Sequence, residues 1–169
     1  MEPSDSDIEQ QMLGAQPEHW QLLWSAVDDL LDEQPSPWET RMTNADGSLC
    51  MPYAVYSDAV MRVQQGLFLV NSLVKFDWPK WEGVRNYQDG RALAGAPVAD
   101  ACRMLTAITR CERHRDGTIG RALDDGRFQA AVLCLRRWYD DTADLRDRHV
   151  SAPSGRSRLS RWIGNLRTR

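Results

Sequence analysis

The chain has 169 residues and a formal net charge of −3, with 42% hydrophobic and 27% charged residues. That length supports one domain with its own core, and the apolar run from Gly66 to Val74 is too short to cross a bilayer. Four scattered cysteines (Cys50, Cys102, Cys111, Cys134) make no disulfide framework. A membrane protein, a secreted mini-protein, a collagen and a wholly disordered chain are excluded, and a reducing cytoplasm is expected.

Charge is distributed unevenly. Residues 1–40 carry ten acids and no Lys or Arg, residues 41–150 carry 16 basic and 14 acidic residues, and residues 151–169 carry five Arg and no acid. The two ends are electrostatic opposites. Nineteen of the 21 basic residues are Arg, but they are spread along the chain, which favours a compositional bias over a phosphate site.

Residues 1–16 are acidic and polar without an apolar period, which predicts a disordered leader. Pro17 suits a first helical turn, and Trp20, Leu23, Trp24, Val27, Leu30 and Leu31 predict an amphipathic helix ended by Pro35 and Pro37. Between residues 38 and 53, Asp46-Gly47 centres a predicted β-hairpin, with Pro52 confining its second strand to an edge. Ser57 caps a central helix running to Val74, and Pro79 opens another that reaches about Leu93. A fourth helix is expected from Asp100 to about Arg115, with Ala101, Met104, Leu105, Ile108 and Cys111 or Cys102 on one side and Gly117 closing it. A short helix from Ile119 to Asp125 and a longer one from Arg127 to Thr142 follow. The expected domain spans residues 17–150. A linker and a basic amphipathic tail occupy residues 151–169, with Leu159, Trp162, Ile163 and Leu166 in one stripe.

Motifs for chemistry are sparse. Cys111 and His114 could share an ion, but no second ligand pair follows, so no metal site is expected. No nucleophile elbow, phosphate loop or dinucleotide fingerprint is present. No catalytic or cofactor-binding residue is therefore assigned, and the chain reads as non-catalytic. The densest polar stretch places Thr106, Thr109, Arg110 and Arg113 near one helix face, a possible anion or nucleic-acid contact. Its competing reading is a polar side whose Arg reach neighbouring carboxylates. Seven tryptophans are many for this length. Trp20, Trp24 and Trp81 fit a core of rings, whereas Trp38 and Trp162 are candidate contact residues.

The blocks Met51-Pro52-Tyr53 with Tyr56-Ser57, Phe76-Asp77-Trp78 with Trp81, Leu105-Thr106 with Arg110, Glu112 and Arg113, and Gly117 with Leu123 and Gly126 carry a resemblance. Over residues 46–137 the chain resembles an uncharacterised bacterial family, a domain of unknown function. Where that family has an aromatic residue after the second Arg, this chain has His114. The resemblance implies a shared domain and no activity, and it leaves the acidic first helix and basic tail outside.

The expected fold is mainly α: a single-domain bundle of five or six helices with one short β-hairpin. The leading functional expectation is a protein-interaction or regulatory protein of a bacterium or a mobile element such as a phage, with another protein as partner. The alternative is a nucleic-acid-associated protein using the Arg110/Arg113 face and the tail residues Arg158, Arg161 and Arg167. Asp77, Arg110, Glu112 and Arg113 form the candidate polar cluster, with Asp77 expected to pair with Arg110 or Arg113.

Overall fold

A computed structural model describes residues 2–34, 37–40, 43–51, 53–88 and 90–146. The tail candidates Arg158, Arg161, Trp162 and Arg167, along with Pro35 and Pro52, lie outside those residues. The architecture is mainly helical and forms one domain around one apolar core. In chain order the helices are α1 (Asp5–Leu13), α2 (Pro17–Asp32), α3 (Asp58–Leu69), α4 (Gly83–Asn86), α5 (Gly90–Ala94), α6 (Val98–Glu112), α7 (Thr118–Asp124) and α8 (Arg127–Asp141). Two short strands, β1 (Glu39–Thr40) and β2 (Tyr53–Ala54), pair antiparallel between α2 and α3.

The expected disordered leader is instead helix α1. Ser4 and Asp7 form a reciprocal capping box that satisfies the first amides. Ile8 and Met12 are fully buried, and Arg103 of α6 holds the α1 end through Asp5 at 2.7 Å. Three apolar residues on one face are too few for a clear period, but they are enough once α6 supplies the opposing surface.

Helix α2 packs its predicted face, Trp20, Leu23, Trp24 and Val27, into the core, whereas Leu31 is exposed. Gly66 lets α3 approach closely, since a Cβ there would lie 2.9 Å from Leu23 Cα. Helix α3 stops before the expected Val74. Asn71 takes a left-handed φ of 59°, and the Ser72 amide and hydroxyl both donate to the Leu67 carbonyl, closing the helix end. The chain then runs beside α6, where the Val74 amide donates to Thr106 Oγ1 at 2.9 Å.

The single helix expected from Pro79 to Leu93 is broken. It divides into a 3-10 turn at Trp78–Lys80, α4 and α5. Gly83 and Gly90 weaken helix continuity, and Tyr87 leaves helical geometry while donating its hydroxyl to Asp100 at 2.6 Å. Helices α6, α7 and α8 follow the predicted spans within two or three residues, and Gly117 and Gly126 adopt the positive φ expected of helix-ending glycines.

Against α2, α8 lays an aromatic cluster. Trp20 stacks on Trp24 at 5.6 Å and meets Tyr139 at 4.7 Å and Trp138 at 6.2 Å. The indole N–H groups of Trp20, Trp24 and Trp138 are buried without an acceptor among the described residues. The guanidinium of Arg136 lies over the Trp24 ring at 5.5 Å. Beside the rings, Arg136 of α8 also pairs with Asp28 of α2 at 2.5 Å.

Candidate functional site

The separated sequence blocks meet at the C-terminal end of α6. Helix α7 begins at Gly117, which has no side chain to cap the first turn. Glu112, five residues earlier, supplies the cap from outside the helix. Its Oε1 accepts the Gly117 amide at 2.9 Å and its Oε2 the Ile119 amide at 2.7 Å. The same Oε1 accepts the Tyr56 hydroxyl at 2.8 Å, tying the chain after β2 to this corner. Burial, then the Glu112 bond, raises the Tyr56 phenol well above its ordinary value.

Two further carboxylates fasten the hairpin. Asp116 Oδ2 accepts the Ala54 amide at 2.8 Å, and Asp124 Oδ2 accepts the Trp38 indole N–H at 2.8 Å. Trp38 lies flat on the start of α7. A Cβ on Gly120 would fall 2.0 Å from its ring and one on Gly117 2.4 Å away, so only glycine fits beneath it. Trp38, offered by the sequence as a contact for another molecule, is thus used to seat the hairpin. Its loop closes as predicted around Gly47, whose φ is 81°, with the Asn44 amide donating to Ser48 O and the Ser48 amide to Asp46 Oδ1.

The expected polar cluster divides. Asp77 pairs with Lys80 at 2.8 Å rather than with Arg110 or Arg113. The turn at Trp78–Lys80 brings Asp77 and Lys80 together locally, so Asp77 does not reach across. Glu112 turns inward to amides and Tyr56. Arg110 and Arg113 are exposed and form no ion pair among the described residues. Beside them His114 stacks on Trp78 at 6.3 Å with planes 20° apart, a contact between residues 36 positions apart that the separate blocks did not reveal.

The hairpin also carries a feature missed in the sequence. Leu49, Met51, Tyr53 and Val55 occupy alternate positions, and they are 80%, 89%, 46% and 49% exposed. The pairs Thr43–Leu49 and Thr40–Tyr53 differ in register by one residue, so these side chains are exposed along the chain without forming one regular strand face. At Val55 this row reaches a cleft of about 480 Å³, whose walls include Leu30, Trp38, Tyr56, Val60 and Leu123.

Each of the three carboxylates at this corner is engaged by protein N–H or O–H groups. Among the described residues no three His, Cys, Asp or Glu side chains come together to hold a metal ion. Nor is any helix among those residues long and apolar enough to cross a membrane.

Residues 15–141 match the family of unknown function DUF6508. The chain belongs to that family. The matched region begins before α2, so the acidic helix that the sequence resemblance left outside is part of the family domain. No curated protein and no solved structure matches the chain.

Proposed function

We propose that this DUF6508 member is a non-catalytic protein-interaction module that takes an apolar segment of another protein along its hairpin. The observation that carries this reading is the exposed row Leu49, Met51 and Val55 along the second limb of the hairpin, with Val55 bordering the cleft. Several large apolar side chains exposed near one another are an association hazard that folded proteins ordinarily avoid unless they bind something. The polar corner beneath holds the row in place through Asp116, Asp124 and Glu112. Covering Leu49 and Met51 alone transfers roughly 3–6 kcal/mol of apolar surface from water, before the cost of association is met.

The resemblance to a bacterial family and four unpaired cysteines support a regulatory or adaptor role in the cytoplasm of a bacterium, or for a mobile element such as a phage. The test is affinity capture from the native host with wild-type and Leu49→Asp/Met51→Asp baits, paired with thermal melts. A partner retained by wild type and lost by the variant, at unchanged melting temperature, is the expected result. An identical set of captured proteins overturns the reading.

A further inference from the structure

We propose that the outer side of the α6 C-terminal end binds single-stranded nucleic acid, with Arg110 and Arg113 on phosphates and the His114–Trp78 ring pair as a platform for a base. This goes beyond the hairpin reading and uses a different surface.

The stretch Arg110 to Asp116 looks like a mixed-charge helix side in sequence, because Glu112 and Asp116 interrupt it. In the structure Glu112 is turned inward, whereas Asp116 stays exposed with one oxygen engaged. Glu112 accepts two amides and the Tyr56 hydroxyl, and Asp116 accepts the Ala54 amide. Outward beside Asp116 stand Arg110, Arg113 and Arg115, all exposed and free of ion pairs among the described residues. The neighbouring strap adds exposed Lys75 and the mutually neutralised Asp77–Lys80 pair. Three arginines and Lys75 against Asp116 leave the face net cationic.

The rings decide among anionic ligands. His114 is exposed and stacked on the half-buried Trp78, with planes 20° apart. A flat ring held from behind presents a π face on which an unpaired base can stack, beside guanidinium groups spaced one turn apart on the helix. Every nucleotide brings an aromatic base to this platform, whereas an acidic peptide brings a ring only where its sequence supplies one. In a duplex the base faces are already covered by their neighbours, which favours the single strand.

The test uses the full chain and fluorescence anisotropy of a labelled single-stranded oligonucleotide and its duplex, titrated with salt. Arg110→Gln/Arg113→Gln is expected to weaken single-strand binding about tenfold or more and to lower the salt slope by about 1.4, two phosphates' worth. His114→Ala is expected to weaken it about fivefold or more, and His114→Phe, which keeps a ring, to restore it. All these positions are exposed, so melting temperatures should hold. A variant with Arg156, Arg158, Arg161, Arg167 and Arg169 changed to Gln should keep the preference for single strands. The proposal is overturned if wild type binds no strand at low salt, or if duplex binds equally well. It is equally overturned if Arg110→Gln/Arg113→Gln matches wild type, if the loss occurs only with the tail variant, or if His114→Phe is as weak as His114→Ala.

Discussion

The α2–α8 side and the α6–α7 corner hold the chain together by opposite means. On the first, Trp20, Trp24, Trp138 and Tyr139 meet ring to ring, and three indole N–H groups go without acceptors among the described residues. At the second, the central contacts are hydrogen bonds from amides, a phenol and an indole to Glu112, Asp116 and Asp124. Apolar packing tolerates small shifts of one ring against another. A carboxylate that caps a helix and anchors a hairpin must stand at one place. The pliable side can carry bulk stability, while the fixed corner orients the exposed row and the exposed arginines.

If the division is real, the largest loss should come from the ring side. Trp20 is 1% exposed, and Trp20→Ala should cost about 3–5 kcal/mol by transfer and cavity terms. Chemical denaturation of the variant measures this directly. A cost under about 1 kcal/mol would mean that the rings stack without bearing the fold.

The corner should respond less in energy and more in geometry. Glu112→Ala strands the Gly117 and Ile119 amides and the Tyr56 hydroxyl, costing about 2–3 kcal/mol. Amide hydrogen exchange should quicken at the start of α7 and at the hairpin, while the Trp20 neighbourhood stays protected. Uniform loss of protection across both regions would erase the contrast between them.

How far the two regions could be read from the sequence follows from their physics. The inward faces of α2, α6 and α8 are periodic, so Trp20, Leu105, Phe128 and Leu135 were legible as core. Gly47, Gly117 and Gly126 were legible because each φ they adopt is one few other residues tolerate. Glu112 was singled out by its motif, but its partners were not, since a carboxylate's choice between an arginine and a bare helix start depends on where Gly117 turns the chain. Asp77 misled for the same reason: a 3-10 turn gave it Lys80. Helix α1 was hidden because Ile8, Met12 and Leu13 become a core face only against α6.

Alkaline pH offers a probe of the corner that leaves its side chains intact. The Tyr56 phenol is raised by burial and by its bond to Glu112, and that of Tyr87 is raised to about 12 by its bond to Asp100 and by burial. Unfolded tyrosine ionises near 10, so above that pH the unfolded chain loses protons that the folded chain keeps. Stability from these groups is fully present below about pH 10 and falls as pH rises toward the folded values. Denaturation midpoints should decline across that window, and Tyr56→Phe should flatten part of the decline. A wild-type midpoint that is level from pH 9 to 11 would show that neither phenol is held by its carboxylate.

The smallest expected effect tests how much an exposed ion pair adds where α3 meets α2. Arg62 of α3 reaches Asp29 of α2 at 2.9 Å and Asp58 at 2.8 Å, bridging the two helices on paper. Its side chain is 43% exposed and those of the two acids 53% and 86%. Water and salt screen such a pair, and ordering three side chains offsets most of the attraction. Arg62→Ala should therefore shift stability by about 1 kcal/mol or less, and raising the salt concentration should shrink that difference further. Arg103 is the sharper control, because its guanidinium is only 12% exposed between Asp5 and Asp100. Arg103→Ala should cost more than Arg62→Ala and should loosen α1 specifically, seen as faster exchange at Ile8 and Met12. Equal losses from the two arginines would mean that burial does not set the worth of an ion pair here, and the Arg136–Asp28 pair between α8 and α2 would then count toward the ring side as well.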